Sequence, residues 1–122
     1  MDFNWSEFYR FAAYLNNDDS FDCQEAVQRT IVSRAYYAAF CMAKEAIEHK
    51  CKISFQKSAD THERVRFEYK KQGRSDISDT LTELRRFRNM CDYEKDIKNL
   101  HSLVKISLQT SEQIISKINS IH

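Results

Sequence analysis

Two short stretches of this chain concentrate side chains able to handle an anion. The first is Leu84-Arg-Arg-Phe-Arg-Asn-Met-Cys-Asp-Tyr93. On a helix, Arg88 and Asp92 fall one turn apart with Arg85 beside them, and Asn89 follows on the adjoining edge. A permanent cation, an amide and a carboxylate facing one region of space suit a phosphate or an RNA backbone. The same spacing also makes an ordinary ion pair that helps to end a helix, and residue types alone leave both readings open. The second stretch is Ser33-Arg-Ala-Tyr-Tyr-Ala-Ala-Phe40, where Arg34 abuts a wholly apolar turn. An unpaired buried guanidinium is costly, so Arg34 must reach water along its stem or find a partner. Tyr36 and Tyr37 likewise need partners for their hydroxyls wherever they are buried. An Arg34 that snorkels above core tyrosines and an Arg34 that binds an anion both satisfy these demands.

Other chemistries find little support. The four cysteines (Cys23, Cys41, Cys51, Cys91) form no C-x-x-C pair, and the four histidines (His49, His62, His101, His122) make no metal-ligand spacing with them. We expect no zinc, no other metal and no disulfide framework. No Gly-rich phosphate loop is present, and no cofactor is implied. Cys41 lies in an apolar run and reads as a small hydrophobe. With no signal peptide at the start of the chain, this fits a reducing cytosol. No run approaches the roughly 18 consecutive apolar residues of a membrane span, so a soluble, cytoplasmic protein is expected.

The elements that must position these groups are helices. The chain of 122 residues has no proline and one glycine, Gly73, so the usual punctuation of strands and hairpins is missing. A hydrophobic fraction of 42% furnishes one core with little to spare, which points to a single domain over residues 1–122. A first amphipathic helix is expected over Asn4 to Leu15, with Phe8, Phe11, Ala12 and Leu15 at helical spacing. A second runs from about Asp22 to His49. Its centre, Ala35 to Ala43, is apolar on every side and should be covered on all faces. Lys50 to Ser58 reads as a loop pinned by Ile53 and Phe55. Asp60 or Thr61 can cap a short third helix that stops at Gly73. Ser75 or Asp76 starts a fourth, with Ile77, Leu81, Leu84, Phe87 and Cys91 on one stripe. A fifth spans about Ile97 to Ile121, with Leu100, Val104, Leu108, Ser111, Ile115 and Ile118 at alternating steps. Four or five helices with short connections describe an all-α, up-and-down bundle.

Net charge is +1, so the whole-chain charge does not mark a nucleic-acid binder. The distribution is uneven: residues 1–25 carry six acidic side chains against Arg10, and residues 64–88 carry eight basic against four acidic. Such a basic centre is either a solvated helix face or a polyanion contact.

The order "SRAYYAAF", then "RRFRNMCDY", then a closing amphipathic helix resembles the HEPN family, the helical partners of prokaryotic nucleotidyltransferases in toxin–antitoxin and defence pairs. The likeness is to the branch with an R-N-x-x-D-Y signature, and it covers the chain from the second helix onward. It implies a bundle that forms a homodimer, with the motif of each protomer lining a shared groove. In active members an arginine, a polar residue and a histidine a few positions on cleave RNA without metal. The histidine moves a proton and the arginine stabilises charge growing on the phosphate. Arg88 and Asn89 occupy the first two places here, and Tyr93 stands where the histidine belongs. A phenol is a poor general base at neutral pH unless its surroundings shift it strongly. His62, in Thr61-His-Glu-Arg-Val, can approach from the third helix, although a histidine at a helix start is more often structural.

The resemblance thus implies catalytic roles for Arg88, Asn89 and Tyr93 and RNA contacts by Arg34, Tyr37, Arg85 and Asp92, in a metal-independent ribonuclease with a minimal nucleotidyltransferase antitoxin as partner. It equally admits Tyr93 as a target of adenylylation by that partner, and a non-catalytic HEPN module that docks a nucleotidyltransferase or another protein.

Overall fold

The computed structural model describes residues 3–121, so Asp2 and His122 lie outside the described residues. Among the described residues there are five helices and no strand: α1 (Ser6–Asn16), α2 (Gln24–Cys51), α3 (Thr61–Lys71), α4 (Ser75–Tyr93) and α5 (Leu100–Ile121). The all-α bundle expected from composition and periodicity is what forms. None of these helices is long and apolar enough to cross a membrane.

Helix α2 is the central post and packs against each of the other four, most extensively α5 and α1. Its small residues make this possible. Ala35, Ala38 and Ala39 have no exposed surface, and on α5 neither do Ser107 and Ser111, whose short side chains allow close approach. Ser111 Oγ donates to the Ala35 carbonyl at 2.8 Å, which satisfies a hydroxyl that burial would otherwise strand. The stripe expected on α4 is buried in full: Ile77, Leu81, Leu84, Phe87 and Cys91. The first three join Tyr36, Ala43, Ile47, Val65 and Ile114 in one apolar cluster, while Phe87 and Cys91 join Ala12, Ile31, Val32 and Val104 in a second.

Helix ends follow local chemistry. Asn4 Oδ1 accepts from the Ser6 backbone N–H at 3.1 Å and opens α1. Gly73 has φ +75°, its N–H donates to the Lys70 carbonyl at 3.0 Å, and the Arg74 N–H donates to the Tyr69 carbonyl at 2.9 Å. These paired bonds are the Schellman stop that a glycine here suggests. At the far end of α4 the free carbonyls are closed from α2: Arg29 donates to the Cys91, Glu94 and Lys95 carbonyls at 2.8, 2.7 and 3.0 Å. A cation at the negative end of a helix adds a favourable dipole interaction. Arg29→Ala should cost about 2 kcal/mol of unfolding free energy in urea titrations, because three charge-assisted bonds are lost. Arg29→Lys should recover only part of it, since one ammonium cannot span three carbonyls.

The helix boundaries and buried positions depart from expectation in five places. Helix α2 continues to Cys51 and stops where Lys52 takes a left-handed conformation (φ 56°). Asn99, also left-handed (φ 61°), delays α5 to Leu100, so Ile97 lies in the connection. On α5, Leu100, Val104, Ser111 and Ile118 are buried as expected and Leu103, Ser107 and Ile114 join them, whereas Leu108 and Ile115 are half-buried. In the α2–α3 loop, Phe55 is buried and Ile53 is not, and in α1 Phe11 faces outward beside a fully buried Ala12.

Candidate functional site

The centre of α2 is not covered on every side. Ala35, Tyr36, Ala38, Ala39 and Ala43 are buried, but Tyr37 is 36% exposed and Cys41 is half-buried. This uncovered side forms the floor of an open groove of about 580 Å³, walled by the α2–α3 loop, the start of α3 and α4. The row Tyr37, Phe40, Cys41 and Lys44 has the spacing of one helix face, so α2 presents all four together. Across from them, α4 contributes Arg85 and Arg88, the loop contributes Lys57, and Trp5 closes one end.

The groove's polar groups are tied in unequal ways. Arg88 Nε lies 2.8 Å from Asp92 Oδ2, the pairing that helical spacing anticipates, and its guanidinium sits 5.8 Å from the Tyr36 ring centroid. Asp92 therefore reaches the groove only through Arg88. Arg85 Nη1 is 3.8 Å from Glu63, whose other oxygen holds Arg66 at 2.9 Å, so Arg85 is weakly engaged. Lys44 pairs with Glu48 at 3.3 Å, and Glu48 also accepts from the Phe55 backbone N–H at 2.9 Å, which fixes the loop edge.

Beneath the cations lies a ring stack with a polar core. Phe40 stacks against Tyr36 (centroids 5.7 Å) and against His62 (5.5 Å), and Tyr36 Oη and His62 Nδ1 are 2.9 Å apart. Burial pushes the Tyr36 phenol up to about 12, against the pull of Arg85 and Arg88. Burial pushes the His62 imidazole down to about 4, and the Arg85 charge adds to this. Both rings are neutral at pH 7, so one hydrogen bond joins them and either can supply its proton. His62 Nε2 is buried with no partner among the described residues. Cys41 is held up at about 11, chiefly by burial, so no thiolate is available in the groove.

The sequence-derived candidates divide accordingly. Arg85, Arg88 and Tyr37 line the groove and Asp92 adjoins it. Arg34 does not line it: its guanidinium lies 5.2 Å from the Phe8 ring centroid and 4.9 Å from that of Tyr37, and donates to Ser33 Oγ at 3.3 Å. Half-buried, Arg34 thus rests its guanidinium on aromatic faces. Asn89 is exposed and outside the lining, and Tyr93, the last residue of α4, is 78% exposed and also outside it. Lys44, Phe40, Lys57 and Trp5 are groove residues that the sequence motifs did not single out. Lys44 and Phe40 were readable from the helical row through Tyr37, and Trp5 lies one turn ahead of Phe8 in the expected first helix, whereas a loop lysine leaves no periodic signal. No group of three or more His, Cys, Asp or Glu side chains gathers in metal-binding geometry among the described residues.

Comparison of the chain with protein-family models, with curated proteins and with solved structures found no match.

Proposed function

We propose that this chain is a HEPN-like component of a prokaryotic toxin–antitoxin or defence pair that binds RNA in the groove between α2 and α4, with Arg88 as a phosphate contact. The observation that carries this reading is the convergence of Lys44, Lys57, Arg85 and Arg88 on one groove in a chain of near-zero net charge. Guanidinium groups suit phosphate oxygens, and Asp92 holds Arg88 through its Nε at the groove wall. The homodimer and the nucleotidyltransferase antitoxin belong to the same reading and rest on the motif resemblance.

A second reading, a non-catalytic HEPN module that docks a nucleotidyltransferase or another protein, is favoured by the positions of Asn89 and Tyr93. Neither lines the groove of a single chain, and the one histidine that does is strongly disfavoured as an imidazolium. The two readings separate when wild type and Arg88→Ala are incubated with total RNA and a short labelled RNA in EDTA, with folding checked by circular dichroism. The expected result is RNA binding by wild type and a loss of binding, of any cleavage and of any growth toxicity in the folded variant. Retention of all three by a folded Arg88→Ala protein would remove Arg88 from its assigned role. Co-purification with a nucleotidyltransferase and no interaction with RNA would select the docking module.

A further inference from the structure

We infer that the α2 side of the groove is a stacking subsite for an unpaired nucleobase, formed by Tyr37, Phe40 and Trp5, so that the groove selects single-stranded over double-stranded nucleic acid. This rests on the reading of the groove as an RNA site and adds what part of the RNA it takes.

The argument starts from what the cations leave unexplained. Four basic side chains account for a polyanion, but a phosphate-only site has no use for a row of aromatic surface beside them. Tyr37 is 36% exposed, and Phe40 and Trp5 are half-buried, each with part of its surface left to the groove. These rings are held rigidly. Phe40 is backed by Tyr36 and His62, and Tyr37 meets Trp5 edge-on at 6.0 Å and Phe8 at 5.5 Å. Trp5 Nε1 is anchored on Glu45 Oε2 at 2.9 Å. Trp5 and Tyr37 stand edge to face rather than coplanar, so the subsite is a set of pre-ordered ring surfaces that loses little entropy on binding and can meet the π-face of any base. Arg88 stands over Tyr36, which neighbours Tyr37 in sequence and stacks with Phe40, so the phosphate contact and the rings share one groove. In a duplex the base faces are stacked internally, and such a subsite has nothing to receive. A partner with aliphatic side chains would gain no stacking there and would offer the groove cations no phosphate.

The chain's single tryptophan is Trp5, so its fluorescence reports on this subsite alone. Purified full-length protein is titrated with a single-stranded RNA oligonucleotide, an abasic oligonucleotide of the same length and charge, and a duplex RNA. Phe40→Leu and Tyr37→Leu are tested in parallel, since leucine keeps apolar bulk without a π-face, and their thermal unfolding confirms that they fold. The expected result is quenching of Trp5 by the single strand and binding about tenfold weaker, without quenching, by the abasic strand and the duplex. Each leucine variant should weaken single-strand binding about tenfold and leave abasic binding unchanged. Equal affinity for abasic and base-bearing strands overturns the stacking subsite while leaving the RNA site standing. Absence of binding by all three nucleic acids overturns both.

Discussion

Lowering the pH from 7 to 4 should remove about 3 kcal/mol of unfolding free energy through His62 alone, a large share of the stability of a domain this size. The folded imidazole is held down at about 4 against an ordinary value of 6.5 because it is buried under Phe40 and Tyr36 and faces the charges of Arg85 and Arg66, with Glu63 opposing them only in part. A group whose folded pKa is depressed in this way contributes its full share above pH 6.5. Between 6.5 and 4 the unfolded chain takes up a proton that the folded chain refuses, so stability falls as pH falls. Below about 4 both states are protonated and the loss is complete. The check is a set of urea titrations at pH 7, 5.5 and 4 on wild type and His62→Gln, whose side chain still offers Tyr36 a hydrogen-bond partner without titrating. Carboxylates such as Asp76, held well below the usual range chiefly by Arg74 and then Lys117, act equally in both proteins and cancel in the difference. The gap between the two stability curves should change by about 3 kcal/mol across this range, in favour of the variant at low pH. Parallel curves would mean that His62 titrates normally in the fold.

How much of this was legible in the sequence depended on whether the signal is local. The α4 stripe and Gly73 were read correctly because each is a periodic or single-residue pattern within one element. On α5 the expected Leu100, Val104, Ser111 and Ile118 are buried, but Ser107 escaped because, polar by type, it fills a fully buried position that only close packing between helices can create. Arg29 escaped for a related reason: it caps carbonyls more than sixty residues away, and no spacing rule links them. At the site, helical spacing put Asn89 on the edge adjoining Arg88, and the family resemblance alone put Tyr93 with them. Around a helix each lies off the edge that carries Arg85, Arg88 and Asp92. The cationic half of the groove was therefore visible in the motif. The aromatic half required the knowledge that Arg34, Phe8 and Trp5 pack around Tyr37 and still leave it 36% exposed.

Reversing both groove arginines, Arg85→Glu with Arg88→Glu, should lower affinity for single-stranded RNA by about a hundredfold or more, and should do so through local contacts rather than total charge. The net charge of +1 gives the protein little long-range attraction for RNA, so affinity must come from cations placed within reach of phosphates. Each arginine that neutralises a phosphate on a single strand releases counterions and contributes roughly 0.7 to the slope of log affinity against log salt. The double variant should thus flatten that slope by about 1.4 as well as weaken binding. A matched control is Lys70→Glu with Lys71→Glu, which shifts net charge identically on exposed positions of α3 that do not line the groove. These lysines should matter little to either quantity, because an exposed charge more than a Debye length, about 8 Å at physiological salt, from the bound strand is largely screened. Equal losses in the two double variants would assign binding to the general basic centre of the chain. A loss confined to the arginine pair would place the phosphates between α2 and α4, where Asp92 already holds Arg88 at the groove wall.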